Sequence, residues 1–329
     1  MKAMTYHRYG PAENVQPAEL PRPIPGKSDL LIKVHTATVT TADWRLRASA
    51  FPGGMWLPGR LMFGLFRPRK KVLGGEFSGT VMETGTDVCD FAPGDPVFGF
   101  AGLGAHAEYL TIPAKGCVTK KPARLSHAEA AAMPFGGLSS LVFLRDFAKL
   151  KPGHKVLILG ASGGVGVYAV QIAKAMGAEV TAMASTAKLD LLRDLGADQV
   201  LDYTVQQLND AGRDFDLVFD PAGNAKFPEV KALLKPTGLF IPLTFNFREV
   251  WQALRAKLTG GPQIGIGVNG DHKTDLLELA NLIETGALRP VVDQRFDLVN
   301  IAAAYGVVES RHRKGSIVLE VLPTHEELS

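Results

Sequence analysis

A glycine-rich turn between a short apolar run and a periodic segment most strongly constrains the fold of this chain. Residues 160–166 read GASGGVG and directly follow the run KVLIL at 155–159. After the turn, apolar residues recur at steps of three and four up to Gly177. This pattern predicts a strand, a tight turn and then a helix over about residues 164–176.

The turn has the chemistry of an anion site. Glycine permits a sharp bend and lets a diphosphate approach the backbone, while free N–H groups at a helix start face the anion. A strand before the turn and a helix after it are the context that a dinucleotide-binding GxGxxG motif requires, although Ala161 replaces one of its glycines. The alternative is a strand–helix turn that binds no ligand.

Short apolar strands alternate with helical patterns through the middle of the chain. The strands are predicted at 155–160, 179–184, 199–203, 216–220 and 239–243, and the helices near 164–176, 187–195 and 225–234. Continuous apolar strands separated by helices indicate a parallel sheet with both faces buried. This part is therefore predicted to be a doubly wound α/β domain.

The first 125 residues follow a different pattern. Short, irregular strands are predicted at 30–39, 80–83, 95–98 and 108–112, which is typical of a partly open β-barrel. Ser126 and Glu129 form a capping-box pattern that opens a helix. Because a helix at 275–285 and a last strand at 316–322 follow the α/β part, we expect the chain to return to its first domain.

Composition excludes several classes of protein. The 329 residues carry 36 basic and 33 acidic side chains, a net charge of +3 that does not indicate nucleic-acid binding. No apolar run approaches the roughly 18 residues of a membrane span, and the N-terminus lacks a signal-peptide core. Cys89 and Cys117 indicate no disulfide framework, so the cytoplasm is the expected location. The basic run 67–71 is expected to be a solvated loop, with a phosphate or polyanion site as the alternative.

The end of the second α/β strand indicates which nicotinamide cofactor is preferred. NAD-specific folds carry an acidic residue about 20 residues after the glycines, where it binds the ribose 2′-hydroxyl. Ser185 lies 19 residues after Gly166, and the nearby acids Glu179 and Asp190 fall outside the strand end. Ser185 could bind and Lys188 could neutralise a 2′-phosphate, although Lys188 could equally be a plain surface lysine. NADPH is predicted over NADH.

The whole chain resembles the medium-chain dehydrogenase/reductase superfamily, within its zinc-free quinone oxidoreductase and enoyl reductase branch. Motifs similar to the family's occur in the family's order: PIPGKSDLLIKVHTATVTTADWRLR (23–47), VLGGEFSGTVMETG (72–85), FAPGDPVFGF (91–100), GAHAEYLTIPA (104–114), LSHAEAAAMPFGGLSSL (125–141), the glycine loop, LGADQVLDY (195–203), FDLVFDPAG (215–223), GALRPVVDQRFDL (286–298) and the terminal RKGSIVLEV.

The resemblance implies a GroES-like barrel from residues 1–125 and 270–329, a Rossmann domain from 126–269, bound NADPH and a homodimer. It also implies a set of cofactor-binding residues, carried over by position: Ser139, Ser162, Gly163, Gly164, Val165, Gly166, Ser185, Lys188, Tyr203, Ala222, Leu243, Thr244 and Asn269.

Zinc ligands are missing from the positions that the family's alcohol dehydrogenases use. Thr40 or Thr41 stands for the first cysteine, Gly75 for the histidine and Phe135-Gly-Gly for the second cysteine. Glycine and phenylalanine cannot bind zinc, so no metal is expected. Without a Lewis acid, the acceptor should be one that delocalises the incoming charge, such as a quinone or an enone.

The active-site segment departs from the branch, because Thr40-Thr41-Ala42-Asp43-Trp44 replaces Asn-Pro-x-Asp-Trp. Thr40 and Trp44 are the candidate catalytic residues, with the Thr40 hydroxyl as a partial substitute for the amide or as a donor to the acceptor oxygen. Phe51 falls near the position of a tyrosine proton donor in some relatives. No general acid is therefore identified, and water is an alternative. Asp43 is expected to be a structural partner rather than a base.

An apolar insertion at 55–66 has two interpretations. It is either a core helix packed on the barrel or a lid over an apolar acceptor pocket, with Trp56 and Phe63 as lining residues. Phe51 and Phe245 are further candidates for the pocket, and Phe247 and Trp251 could form an opposite wall or a dimer contact.

The sequence thus predicts an oxidoreductase that transfers a hydride from NADPH to a quinone or an activated alkene. The alternatives are an NADPH-binding protein with little turnover and, with less support, a zinc alcohol dehydrogenase.

Overall fold

The structure, a computed structural model, describes residues 1–52 and 54–322. The chain forms two compact units. The first contains Met1–Phe51, Trp56–Phe135 and the C-terminal segment from Asp271, and the second contains Pro52–Met55 and Gly136–Gly270.

The strands and helices are numbered in chain order. The strands are β1 (Lys2–Tyr6), β2 (Val15–Glu19), β3 (Asp29–Val39), β4 (Glu76–Thr84), β5 (Pro96–Phe100), β6 (Tyr109–Pro113), β7 (Val118–Lys120), β8 (Lys155–Leu159), β9 (Glu179–Ala184), β10 (Gln199–Asp202), β11 (Phe215–Asp220), β12 (Leu234–Pro242), β13 (Gln263–Ile264), β14 (Val292–Asp297) and β15 (Ser316–Glu320). The helices are α1 (Thr41–Ala48), α2 (Trp56–Phe63), α3 (His127–Ala131), α4 (Pro134–Val142), α5 (Gly166–Ala175), α6 (Leu189–Asp194), α7 (Phe227–Val230), α8 (Phe247–Thr259), α9 (Lys273–Glu284) and α10 (Ile301–Ser310).

The first unit is built on a mixed sheet around one apolar core. Its strands lie in the order β14-β15-β3-β4-β5-β7, and β6 also pairs with β3. The last strand, β15, lies inside this sheet, parallel to β14 and antiparallel to β3. The prediction that the chain returns to its first domain is therefore confirmed. Tight packing of fully buried residues such as Leu30, Phe77 and Ile317 explains why both chain ends are needed.

The second unit contains a six-stranded sheet in the order β10-β9-β8-β11-β12-β13. Every strand pair in it is parallel, as the continuous apolar strands predicted. Strand order reverses at β8, because β9 lies on one side of it and β11 on the other. The crevice beyond the carboxyl ends of β8 and β11 is thus the expected ligand position in such a sheet.

The boundary between the units differs from the predicted one. It falls between residues 135 and 136 instead of 125 and 126. Helix α3, which Ser126 and Glu129 cap as predicted, buries Ala128 and the following Ala132 against Val318 of β15. Local capping signals mark where a helix begins but do not tell which core it packs against.

The sequence analysis gave some elements the wrong bounds and did not predict others. The helix predicted at 225–234 is the short α7 followed by a 3₁₀ turn, and β12 begins at Leu234 rather than at 239. Helices α8 and α10 and the edge strand β13 were not predicted. Within the described residues, no helix is both long and apolar enough to cross a bilayer.

Candidate functional site

The glycine loop links the central strand β8 to helix α5. Gly160 begins the turn with a φ of +64°, a left-handed conformation that favours glycine. At Gly166, the first residue of α5, a Cβ would lie 2.4 Å from the Gly160 carbonyl oxygen and 2.6 Å from the Ala161 Cα. Gly166 therefore lets the helix start pack directly on the strand end.

Free backbone donors lie at this turn. Among the described residues, the N–H groups of Gly164, Val165 and Gly166 donate to no protein carbonyl. A Cβ added at Gly163 would find only the Gly160 oxygen within 4 Å, at 3.4 Å, so the space beside Gly163 is open. Unpaired donors at a helix start beside an open cradle fit the diphosphate of a dinucleotide.

The carboxyl ends of three neighbouring strands meet at this turn. A Cβ on Gly160 would lie 2.7 Å from the Ala222 side chain, which follows β11. A Cβ on Gly223 would lie 2.5 Å from the Thr244 side chain, which follows β12. Leu243 N–H donates to the Asp220 carbonyl at 3.1 Å. The predicted residues Ala222, Leu243 and Thr244 thus lie along the same sheet edge as the glycine loop.

Two residues beside the loop were not predicted. A Cβ on Gly136 would lie 2.0 Å from the Gly164 carbonyl oxygen, so helix α4 begins in direct contact with the loop. The Ser140 hydroxyl lies 2.8 Å from the Gly136 oxygen and 3.0 Å from the Val165 oxygen. The predicted Ser139 and Ser162 are both buried. The run of small residues in PFGGLSS was the available signal for Gly136 and Ser140.

The predicted residues for the adenosine end gather where β9 ends. Ser185 follows β9 directly and is partly buried. Tyr203 N–H donates to the Ala184 carbonyl at 3.1 Å, and its side chain is exposed. Lys188 is only 7% exposed, so the alternative of a plain surface lysine is wrong. The 3₁₀ turn at Thr186–Lys188 keeps Lys188 close to the strand end.

A further carboxylate, Asp202, lies beside the end of β9, and its position was not predicted from the sequence. Asp202 is the register partner of Ala184 across the β9–β10 pair. Its oxygens accept hydrogen bonds from the Thr186 hydroxyl and from the Thr204 N–H and hydroxyl. These bonds, the one from Thr186 foremost, lower the pKa of Asp202, so it stays anionic.

Asn269 follows the edge strand β13 and is partly buried.

The segment 40–44, predicted to belong to the active site, forms the start of helix α1 in the first unit. Thr40 caps the helix: its hydroxyl accepts from the Asp43 N–H at 3.2 Å and donates to Asp43 Oδ2 at 2.6 Å. A hydroxyl has one proton, and this one goes to Asp43. In this arrangement the proton is not directed at an acceptor oxygen, and the catalytic role of Thr40 stays a prediction. Asp43 also accepts from the Gly74 N–H at 3.0 Å, which gives it the expected structural role.

The positions that hold zinc in metal-dependent relatives lack a suitable donor set. At Gly75 a Cβ would lie 2.5 Å from the Phe100 ring, and that ring lies 6.1 Å from the Phe135 ring. The Thr41 hydroxyl accepts from Arg313 at 3.1 Å. Within residues 1–52 and 54–322, no group of three or more His, Cys, Asp or Glu side chains could hold a metal ion. Aromatic carbon and an arginine-bound hydroxyl do not fit zinc.

Glu76, beside these positions, is a buried carboxyl group. It accepts from the Thr38 hydroxyl and, at 2.6 Å, from the Phe135 N–H. Burial raises the pKa of Glu76 to about 7, while the Thr38 and Phe135 hydrogen bonds act in the opposite direction. Burial also lowers the pKa of Arg313, with Glu76 as a counter-charge. The network joins β3, β4 and the first turn of α4.

Aromatic residues of the first unit form the predicted apolar cluster only in part. The Phe51 and Phe63 rings stack at 6.0 Å, and Trp44 packs against the barrel core. Trp56, in contrast, is 49% exposed, and α2 has no buried residue. The interpretation of 55–66 as a core helix is therefore wrong. In the second unit Phe245 is partly buried, whereas Phe247 and Trp251 on α8 are exposed.

Two family models match the chain: an alcohol dehydrogenase GroES-like domain over residues 26–123 and a zinc-binding dehydrogenase domain over residues 195–319. The chloroplastic quinone oxidoreductase QR1 of Triphysaria versicolor is 32% identical, over 97% of this chain and 98% of its own. A 2-methylene-furan-3-one reductase of Solanum lycopersicum is 28% identical, over 98% of this chain and 80% of its own.

A solved structure of similar fold is the quinone oxidoreductase from Coxiella burnetii. It has a TM-score of 0.85 and 29% identity, covering 98% of this chain and 99% of its own. The GroES-like match and the parallel sheet together confirm the predicted fold class.

Proposed function

The chain belongs to the quinone oxidoreductase-like branch of the medium-chain dehydrogenase/reductase superfamily, and from this premise we propose that it reduces a quinone or an activated alkene with NADPH, without a metal. The relatives themselves show that it is an oxidoreductase of this family. The observation that carries the proposal is the open glycine loop with unpaired N–H donors at Gly164, Val165 and Gly166.

The second unit would hold the cofactor along one sheet edge. The loop amides and the dipole of α5 would bind the diphosphate, and Ser162 and Gly163 would line it. Ser185, Lys188 and Tyr203 would surround the 2′-phosphate, and the buried Lys188 supplies the positive charge there. The oxygens of Asp202 already accept hydrogen bonds from Thr186 and Thr204, which partly offset its negative charge beside a phosphate. When bound, NADPH supplies the hydride.

Towards the nicotinamide end, the residues after β11 and β12 are the proposed contacts. Ala222, Leu243 and Thr244 lie at the ends of those strands, with Gly223 packed on Thr244. Ser139 and Asn269 complete the proposed set. These groups would fix the orientation of the ring, which is the main contribution that a protein makes to hydride transfer.

The chemical class of the acceptor is proposed from the residues of the first unit that stand at the positions compared with zinc ligands. Gly75, Phe135 and the Arg313-bound Thr41 supply no Lewis acid, so the acceptor must itself delocalise the incoming charge. Quinones and enones do so, and the names of the relatives in Triphysaria versicolor, Solanum lycopersicum and Coxiella burnetii agree with this class. The Phe51–Phe63 pair is the proposed apolar wall.

The proton that completes the reduction is assigned to water. The Thr40 hydroxyl donates to Asp43, and Phe51 carries no ionisable group. Trp44 is then a packing residue of the segment rather than a proton donor.

The direct test mixes the purified protein with NADPH and a panel of quinones and enones and follows the absorbance of the reduced nicotinamide. Saturable oxidation with at least one acceptor, unchanged by a zinc chelator, is the expected result. Stoichiometric zinc whose removal abolishes turnover would contradict the metal-free proposal.

A second candidate is an NADPH-binding protein with little turnover. The observation in its favour is that the Thr40 proton is committed to Asp43. Tight NADPH binding without oxidation across the panel would support this candidate over catalysis. A homodimer in the cytoplasm stays part of the proposal, to be tested by sedimentation and by localisation of the tagged chain.

A further inference from the structure

One segment of the chain carries an unusual distribution of charge. Residues 44–75 contain seven basic residues and no acidic residue, whereas the whole chain has a net charge of only +3. The rest of the chain is therefore net negative. Four of the seven lie together, at Arg67, Arg69, Lys70 and Lys71, and all four are exposed.

The same segment exposes an apolar helix. Helix α2 has no buried residue, and Trp56, Leu57, Leu61 and Met62 are each about half exposed or more. Phe66, just beyond the helix, is 84% exposed. Monomeric proteins seldom expose a contiguous apolar surface of this kind without a partner.

Backbone contacts hold the basic run against this helix. Arg69 N–H donates to the Phe63 carbonyl at 2.9 Å, and the Arg69 guanidinium lies 3.3 Å from the Met62 carbonyl oxygen. The Tyr9 hydroxyl donates to the Gly64 carbonyl at 2.8 Å, and the Arg60 guanidinium lies 4.0 Å above the Tyr9 ring. The apolar and basic side chains therefore form one surface, the α2 patch, of residues 56–71.

An open groove of about 620 Å³ adjoins the α2 patch. It is lined by His7, Arg8, Glu13, Asn14, Gln16, Phe66 and Arg67. Two of these side chains, Arg8 and Arg67, are cationic, and Glu13 is the one carboxylate among them. The groove extends the positive surface beside the exposed Phe66.

We propose that the α2 patch docks the protein on the surface of an anionic lipid bilayer. Trp56, Leu61 and Met62 enter the boundary between headgroups and acyl chains, and Phe66 enters beside them. Arg67, Arg69, Lys70 and Lys71 lie against the lipid phosphates. An exposed apolar helix that carries Trp and Leu beside a run of Lys and Arg is a pattern that binds this boundary.

Charge and side-chain type favour a bilayer over a protein. A two-fold dimer through the α2 patch would place the same basic run on both sides of the interface, where like charges repel. Protein interfaces also carry about one hydrogen bond per 100–200 Å². The apolar part of the α2 patch, formed by Trp56, Leu57, Leu61, Met62 and Phe66, carries a single N–H or O–H donor, the indole N–H of Trp56.

The test is flotation of the full-length protein with two kinds of vesicle. One kind is pure phosphatidylcholine, and the other contains about 30 mol% phosphatidylglycerol. We expect binding to the anionic vesicles that declines as salt screens the phosphates, and little binding to the neutral ones. Because each basic residue near such a surface contributes about 1 kcal/mol, or about fivefold, the K70E/K71E variant should bind at least roughly 20-fold more weakly.

A substitution in the apolar part of the α2 patch can be compared with a matched control in α8 of the second unit. Met62→Glu should reduce binding at least roughly tenfold, because it places a charge at the acyl boundary. Leu258→Glu, at an 88% exposed position of α8, should leave binding unchanged. All three variants change exposed side chains, and unchanged thermal unfolding verifies that they fold.

Three outcomes would overturn the proposal. The first is no binding to anionic vesicles, and the second is equal loss of binding in Met62→Glu and Leu258→Glu. The third is a dimer in sedimentation that Met62→Glu converts to a monomer, which would make the α2 patch a protein interface. None of these outcomes depends on turnover, so the proposal and the proposed reaction are tested separately.

Discussion

Glu76 couples the stability of the first unit to pH, because its carboxyl group is buried and its pKa is raised to about 7. The unfolded chain releases this proton near pH 4.5, whereas the folded chain holds it to about pH 7. The contribution of Glu76 to stability is thus full below about pH 4.5 and is lost as the pH rises through 7. The loss is on the order of 3 kcal/mol.

Glu76→Gln should remove that loss, because an amide cannot ionise and its oxygen can still accept from the Phe135 N–H. Urea unfolding of both proteins between pH 5 and 8 measures the difference. Glu13→Gln, at an exposed carboxyl, is the control and should follow the wild type. A wild-type slope retained in the Glu76→Gln variant would show that other groups cause it.

Lys188 should decide between the two nicotinamide cofactors. Removing a charge-assisted hydrogen bond to a 2′-phosphate costs about 1.5–3 kcal/mol, so Lys188→Ala should raise the Kd for NADPH about 10- to 100-fold. The Kd for NADH should change little, because NADH has no such phosphate. Titration by nicotinamide fluorescence measures both, with the exposed Lys231→Ala as control. Equal weakening of the two cofactors would exclude the 2′-phosphate role.

Residues whose role follows from local sequence were predictable, and those defined by neighbouring strands were not. The glycine loop and Ser185 could be located from their distance to a strand. Asp202 is 17 residues from Ser185 in sequence and reaches Ala184 only through the β9–β10 register. Likewise, the residue type of Thr40 allowed a donor role, but the direction of its one proton depends on Asp43.

The turn between β8 and α5 permits a test at the scale of elements. A Cβ added at Gly163 would have the Gly160 carbonyl oxygen as its nearest neighbour, at 3.4 Å. Gly163→Val should therefore fold normally, yet its side chain would fill the space in which the diphosphate would lie. We expect loss of both NADPH and NADH binding, by at least roughly 100-fold, with unchanged unfolding.

A control for that substitution is Gly306→Ala. Gly306 lies in α10, and a Cβ there meets nothing within 4 Å, so cofactor affinity should not change. Cofactor binding that survives in Gly163→Val would mean that the diphosphate is not held at this turn. Direct calorimetry with NADPH distinguishes the two results without any assumption about turnover.

Periodicity predicted the central elements because each buries a face in a core. The strands β8 and β9 match their predicted ranges closely, since continuous apolar residues are needed on both faces of the sheet. Helix α2 could not be interpreted in this way, because an apolar run does not tell whether a core or another surface covers it. The two-residue strand β13 is too short to give any periodic signal.

For the whole molecule, the position of β15 explains the discontinuous first unit. Residues near 318 pair with residues 36–39 of β3, so unit 1 requires both ends of the chain. A predicted α/β insertion between two β-rich segments was enough to indicate this arrangement. The exact boundary was not predictable, because the packing of α3 on Val318 is a contact between distant residues.

This arrangement predicts that a charge in β15 loosens its partner strand β3. Val318 is fully buried, pairs with Thr38 of β3 and packs on Ala128 and Ala132. Val318→Asp would bury an unpaired carboxylate and should cost more than about 4 kcal/mol of folding free energy. Val299→Asp, at a 71% exposed position, should cost less than about 0.5 kcal/mol. Limited trypsin digestion at a temperature below both unfolding transitions should then cleave at Lys33 of β3 in Val318→Asp and spare this site in Val299→Asp. Resistance of the β3 region in both proteins would mean that β3 stays ordered without the last strand.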